Sequence, residues 1–394
     1  MTIADRRLLW TKIHRWIGLT ALAFLFIAGV TGSFLCFDKR IDAALNSDLF
    51  YRQTKAAPQS PSLIAAAIQT QHPELLITQF PLNLQPSQNL ELDVAPRPGN
   101  TLSYNQLFVD PSDGHIVGTR QAAPGWGRRD IVEGVFQAHQ NLVAGTVGRW
   151  IMGLAALCWF IGNFVGLYLT LPVKRPFWSK WKKKWKIDIK AKMRRLMLEI
   201  HNSSGLWLLI PATVLAYTSV AMNFFGEAFV PIAQAVSPAK QSIFDEPPEA
   251  SLTIAPRIGF TKALEVGTSV AKSSGLTWKP ALERYSAEHD VYGISFTDNG
   301  MENYHRLGPV TIYLDARTGR FVEADDPYHD SAGRKATRAL YPLHSGEIGG
   351  EFGIMLIFLL GLSTAEMCAT GFYTWWKKRE SRAPKRRAKR AKQG

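Results

Sequence analysis

Four of the nine histidines, His14, His139, His201 and His344, stand beside long apolar runs, and their spacing repeats. His139 and His344 lie 205 residues apart, and the same offset overlays Gly148 on Gly353, Gly166 on Gly371 and Tyr168 on Tyr373. Upstream it overlays LFVDPSDGHIV on IYLDARTGRFV. His14 and His201 are separated by 187 residues, an offset that also matches Gly18 with Gly205 and sets HRWIGL against HNSSGL. A repeat of this kind tells which residues belong to an architecture rather than to local chance. Equivalent helices carry equivalent side chains at equal depth, so each histidine pair is expected at one level of a helical bundle. Two imidazoles opposed across a bundle are the axial donor set of a b-type haem, and two haems b are expected. A lone histidine at a helix end is ordinarily just a polar residue; the matched pairing is what points to ligation. No C-x-x-C-H occurs, so the haems would not be covalently attached.

Smaller residues near the pairs fit the same chemistry less specifically. Gly145, Gly148, Gly349, Gly350 and Gly353 follow the second pair, and Gly18 and Gly205 follow the first. Glycine lets backbone approach a porphyrin face, and it equally lets two membrane helices pack closely. Arg15 and Arg149 adjoin the two levels, and Arg129 and Arg334 match at the 205-residue offset; such cations neutralise propionates or simply snorkel to an interface. Glu366 is an acid inside an apolar run, where ionisable groups are usually functional, as a proton acceptor or as a partner of a ligand.

The elements that must position these groups are membrane spans. Apolar runs near 16–37, 150–171, 206–225 and 352–376 each suit a helix crossing a bilayer, which takes about 20 residues. The net charge of +14 is unevenly placed: residues 1–15 hold four Lys/Arg and one acid, 174–195 hold eleven and one, and 377–394 hold ten and one. By the positive-inside rule these segments are expected in the cytoplasm, with both termini. Beside spans, such basic runs set topology and touch anionic lipid; no recognisable nucleic-acid module accompanies them, so nucleic acid is not an expected partner. The amino-terminal apolar run reads as an uncleaved anchor rather than a signal peptide. Cys36, Cys158 and Cys368 all lie in or at the ends of spans, so no disulfide framework is expected. The expected order is a first span (1–37), an outer domain (38–138), a second span (139–171), a basic loop (172–200), a third span (201–225), a second outer domain (226–343), a fourth span (344–376) and a basic tail (377–394).

Each outer segment reads as one helix followed by a small antiparallel sheet. The helices are expected at 62–71 and 260–272. Strands are expected at 75–80, 90–94 and 102–109, and again at 282–286, 292–296 and 310–314, with DPSDG and DARTG as turns. The fold class is therefore membrane α+β, with four transmembrane helices in two repeated units. This (F/Y)-x-(V/L)-D-x-x-(T/D)-G-x-x-V arrangement resembles the PepSY domain, and the flanking spans resemble the PepSY-associated transmembrane family over nearly the whole chain. Within it, the chain is most similar to the FoxB-like and PiuB-like group of bacterial inner-membrane ferric-siderophore reductases.

The resemblance implies an inner-membrane oxidoreductase that reduces a periplasmic ferric siderophore and releases Fe(II), with electrons from a cytoplasmic reductase or from quinol. No G-x-G-x-x-G after a strand, H-E-x-x-H, G-x-S-x-G or P-loop occurs, so the electron donor is expected to be a separate molecule. Two other readings stay open: a membrane-anchored module that binds a protein or peptide without catalysis, and a transmembrane cytochrome with a different acceptor. Tyr104, Trp126, Trp278, Tyr304 and Tyr328 are candidates to line a substrate pocket or to fill small cores.

Overall fold

The computed structural model describes residues 2–54, 56–238, 241–245, 247 and 258–381. Most of the expected basic tail, 382–394, lies outside the described residues. In chain order the elements are α1 (Ile3–Leu35), α2 (Asp38–Leu45), α3 (Ser47–Phe50), α4 (Pro61–Gln71), β1 (Leu75–Pro81), β2 (Leu90–Pro96), β3 (Gln106–Val109), β4 (Ile116–Arg120), α5 (Ile131–Asn141) and α6 (Gly145–Thr170). There follow α7 (Phe177–Lys182), α8 (Met193–Trp207), α9 (Leu209–Asn223), α10 (Val230–Val236), α11 (Phe260–Ser273), β5 (Lys279–Ser286), β6 (Val291–Thr297), β7 (Val310–Asp315), β8 (Phe321–Asp325), α12 (Ala332–Ser345) and α13 (Gly350–Glu380). The described residues divide into two compact units: a helical one within 2–37, 135–230 and 343–381, and a sheet unit within 38–134 and 231–342.

In the helical unit α1 packs on α6 and α13, α6 on α9, and α13 on α8. Three helical stretches are long and apolar enough to cross a membrane: α1, α6, and α13 with the turn before it. Helices α8 and α9 pass that test only together, and they meet at a bend of 74°. The sequence predicts one continuous third span here, and Pro211 explains the difference. Proline has no N–H for the Trp207 carbonyl and its ring crowds that carbonyl, so the helix breaks just after Trp207. The α1–α13 seam is built from small residues. A Cβ on Gly29 would come within 2.6 Å of the Gly361 carbonyl, and Ser33 donates across the seam to the Phe358 carbonyl at 3.0 Å. Between helices in lipid, such close backbone packing and its hydrogen bonds take the place of the hydrophobic effect. Arg7 adds a tie from α1 to the end of α6, donating to the Leu169 and Leu171 carbonyls, which the helix itself leaves unpaired.

In the sheet unit the expectation of two separate outer domains gives way to one sheet. Strand β1 pairs antiparallel with β5, through Gln79 and Arg284, Phe80 and Glu283, and Pro81 and Leu282, so both halves join in the order β4-β3-β2-β1-β5-β6-β7-β8. Each three-stranded expectation gains a fourth strand after its DPSDG or DARTG turn, and the strand expected over 102–109 shrinks to Gln106–Val109. The alternation of β2, with Leu90, Leu92 and Val94 buried, faces one side of the sheet toward α4 and α11. There Phe260 of α11 stands edge-on to Phe80 and Tyr292, with ring centres at 5.1 and 5.4 Å. Both halves of the repeat thus contribute to one core.

Candidate functional site: two facing histidine pairs

His14 lies on α1 and His201 on α8, and their ring centres are 6.4 Å apart. His139 on α5 and His344 on α12 stand 6.1 Å apart. The ring planes are inclined by 72° and 59°. Metal–imidazole bonds are about 2.0–2.1 Å, so two opposed rings sharing one metal stand roughly 6 Å apart, centre to centre. Both pairs have this separation. Thr31, which touches His139, is 17 positions from His14 along α1, so the two levels are separated by about 26 Å of helix.

Hydrogen bonds behind the rings decide which nitrogen is free. The Thr31 hydroxyl donates to the Ile27 carbonyl at 2.6 Å, so its oxygen is left to accept from His139 Nδ1, 3.0 Å away. Thr218 repeats this: its hydroxyl donates to the Leu215 carbonyl at 3.0 Å and its oxygen lies 3.2 Å from His344 Nδ1. His201 Nδ1 faces the Met367 carbonyl at 3.1 Å, and a carbonyl can only accept. With Nδ1 protonated in these three rings, Nε2 carries the lone pair. A metal-ligating histidine is ordinarily fixed in just this way by a partner at its other nitrogen. His14 is the exception: the Gly162 carbonyl faces its ring, but Nδ1 is buried without a hydrogen bond of normal geometry.

The donor set discriminates between kinds of metal group. Among the described residues no cluster of three or more His, Cys, Asp or Glu side chains could hold a metal ion. Two nitrogens are too few for a protein-built zinc site. They suit a group that brings its own four equatorial donors, as a porphyrin does. Close backbone at the rings fits a flat group too: a Cβ on Gly32 would meet His139 Cε1 at 2.9 Å, one on Gly166 would meet His14 Cε1 at 3.2 Å, and one on Gly371 would meet His201 Cε1 at 3.4 Å.

These three glycines are not the ones the sequence singles out as site residues. Gly148 and Gly353 have a different task. The sequence reads each second-level histidine as the start of a span, whereas the structure ends α5 at Asn141 and α12 at Ser345, and restarts the helices at Gly145 and Gly350. A side chain on Gly148 would run into the Asn141 carbonyl, and one on Gly353 into the Gly346 carbonyl. Both therefore let the new helix close against the break. Gly145, at φ +56°, lies in the first break, and Gly349 precedes Gly350, at φ +60°, in the second. Gly205 faces Met367, whose methyl a Cβ would meet at 3.3 Å, and among the described residues a Cβ on Gly18 would meet nothing beyond its own helix within 4 Å.

The arginine expectations change as well. Arg149 is paired with Glu227 and donates to the Asn223 carbonyl, so its charge is already met. Arg129 and Arg334 belong to the sheet unit, where they pair with Asp48 at 2.5 Å and Asp325 at 3.2 Å. Arg15 remains beside His14, its guanidinium 5.7 Å from the Trp16 ring centre and its Nε without a partner. Glu366 accepts from Ser204 at 2.8 Å and from Thr370 at 3.3 Å, and the Thr370 hydroxyl lies 3.3 Å from His201 Nδ1. One hydroxyl thus links the acid to the ring.

Signals for the overlooked residues were present in the repeat. Thr31 and Thr218 are 187 residues apart, the offset of His14 and His201. Gly166 and Gly371 are a matched pair at 205, and Met367 matches Gly162 at the same offset, so each carbonyl facing a first-level ring comes from an equivalent position. No curated protein matches the chain. A family model described as the PepSY-associated TM region matches residues 11–378, and the chain belongs to that family of membrane proteins.

Proposed function

We propose that the chain is a multi-pass inner-membrane oxidoreductase that holds two b-type haems and reduces a ferric siderophore on the periplasmic side, releasing Fe(II). The observation that carries this reading is the pair of facing imidazole sets, 6.4 and 6.1 Å between ring centres, at two levels of one bundle. Bound haem iron would supply one-electron redox chemistry at each level. His14 and His201 would hold one group and His139 and His344 the other, with Thr31, Thr218 and the Met367 carbonyl fixing the tautomers. Their separation of about 26 Å along α1 is comparable with a hydrocarbon core of about 30 Å.

On this reading α8 and α9 together form the third of four spans, the basic segments 1–15, 174–195 and 377–394 face the cytoplasm and its anionic lipid, and the sheet unit is periplasmic. Electrons would come from a cytoplasmic reductase or from quinol. The siderophore's iron is the substrate: as Fe(II) it is held far less well by hard oxygen ligands and leaves them.

The test is the dithionite-reduced minus oxidised visible spectrum of the purified protein, with haem quantified per chain, beside His139→Ala and His201→Ala. Two haems per chain are expected, each variant losing one. A colourless protein from haem-replete cells would refute the cytochrome reading and leave a non-catalytic PepSY-type binding module.

A further inference from the structure

The face of the sheet opposite α4 and α11 carries a row of side chains that the histidine pairs do not explain. Strand register aligns Arg120, Gln106, Asp93, Gln79, Arg284, Gly293, Tyr313 and Glu323 across all eight strands. At its middle is a cavity of about 450 Å³, within the usual size of small-molecule sites. Gly293 shapes it: a Cβ there would meet Tyr313 Cε1 at 2.9 Å and Arg284 Cγ at 3.0 Å, so only glycine lets both side chains lie against the sheet. Phe244 forms a wall, edge-on to His289 and Tyr313 with ring centres at 4.8 and 4.9 Å.

Two nitrogens lining this cavity lack partners, the Arg284 donor and a His289 nitrogen that donates in its Nε2–H tautomer. Arg284 Nε and His289 Nε2 are both buried without a hydrogen-bond partner, and among the described residues Arg284 makes no ion pair. Other inward arginines of the same unit are neutralised: Arg120 by Asp42 at 2.7 Å, and Arg317 by Asp290 at 2.5 Å. Buried donors without acceptors are unfavourable, and a guanidinium fork is matched in shape by two adjacent anionic oxygens. Asp93 also lines the cavity, and burial raises its carboxyl, but it makes no ion pair with Arg284 among the described residues. The aromatic candidates of the sequence lie elsewhere: Trp278 packs on Tyr328, Tyr304 on Tyr341, and Trp126 is exposed.

We propose that this cavity binds the flat, anionic oxygen-donor ring of a ferric chelate, a catecholate, with Arg284 and His289 on its oxygens and Phe244 and Tyr313 against its ring. The inference rests on the siderophore reading and names the substrate class. The test measures binding, without any reductant, to the full-length oxidised protein in nanodiscs, by calorimetry. The probes are the anionic complex of Fe(III) with three 2,3-dihydroxybenzoates and the neutral complex with three acetohydroxamates.

The anionic complex is expected to bind at least about tenfold more tightly, Arg284→Gln to abolish that preference, and Arg284→Lys to restore part of it. His289→Gln, which can still donate a hydrogen bond, is expected to weaken binding less than His289→Leu. Equal binding of both complexes, or a preference untouched by Arg284→Gln in a protein with an unchanged circular dichroism spectrum, overturns the proposal. Catecholate binding by a protein that never reduces the complex would keep this site and refute the reductase reading. Reduction of both complexes independent of Arg284 would do the reverse.

Discussion

The two copies of the repeat place their histidines alike and surround them differently. His14 and His201 occupy equivalent positions, and each faces a carbonyl from an equivalent residue, Gly162 or Met367. Behind His201 stand Thr370 and Glu366; at the matching positions in the first copy are Val165 and Ile161. The sheet unit has a related asymmetry. Glu283 of the second half is fully buried and accepts from Ser62 of the first half at 2.8 Å, while its Oε1 has no partner. Duplication explains where the rings are. The polar groups behind His201 are where the surroundings of the two copies differ.

The largest expected effect concerns Glu283. Burial pushes its carboxyl up to about 8, from 4.5 when unfolded. The native state therefore holds a proton that the unfolded chain loses between those values. This contribution is complete below pH 4.5 and is lost as pH rises to about 8, on the order of 5 kcal/mol. Glu283→Gln should flatten the fall in melting temperature between pH 5 and pH 9; an unchanged slope would show that another group governs it.

The ring partners come next. Thr218→Val leaves the His344 Nδ1–H without its hydroxyl acceptor, whereas Thr31→Val removes one partner from a His139 ring that also faces the Ala28 carbonyl; loss of such a partner typically costs about 10–100-fold in metal affinity, so the Thr218 change is expected to be the larger. On the proposed cytochrome reading, haem transfer to apomyoglobin should accelerate from one site only in each variant. Equal loss from both sites would mean that the threonines hold the bundle rather than the rings.

Glu366→Gln sharpens the contrast between His14 and His201. Gln can still accept from Ser204, so the change is chiefly one of charge. On the proposed cytochrome reading, one of the two haem midpoint potentials should rise by tens of millivolts, roughly up to the 59 mV of a tenfold change in a one-electron couple. Identical potentials in the variant would indicate that the acid is neutral and structural. The smallest effect lies in the helix breaks. Both breaks have a glycine with positive φ at the matched positions Gly145 and Gly350, but the first also holds Leu142 and Val143 at φ of 56°, where the second has its other positive φ at Gly346. Val143→Gly should stabilise the protein by about 1 kcal/mol or less, because a β-branched residue is strained there while glycine loses more chain entropy on folding.

The repeat made the histidine pairs legible from the sequence, because spacing alone implied equal depth. Helices α4 and α11 and most of the strands were legible through period and turn residues. What was not legible depends on atoms far apart in the chain. Nothing in QFPLN or PALERYS announces that these two segments pair with each other and fuse two expected domains into one sheet. The breaks after His139 and His344 carry breaker residues, Gly145 in the first and Gly346, Gly349 and Gly350 in the second, but in sequence those glycines read equally as backbone brought close to a flat ligand. Gly148 and Gly353 were correctly matched, but glycine near a ligand and glycine under a helix break read the same in sequence.

The β1–β5 pairing also sets an order of assembly. Gln79 and Arg284 are about two hundred residues apart, so the first half of the sheet is synthesised long before its central partner. Until β5 arrives, β1 presents an unpaired edge ready to join any passing strand. A chain that stalls after α9 would keep the complete α4 and β1–β4 segments yet lack the element that closes them. Biogenesis of this protein therefore depends on the second half reaching the same side of the membrane as the first before the waiting edge finds the wrong neighbour.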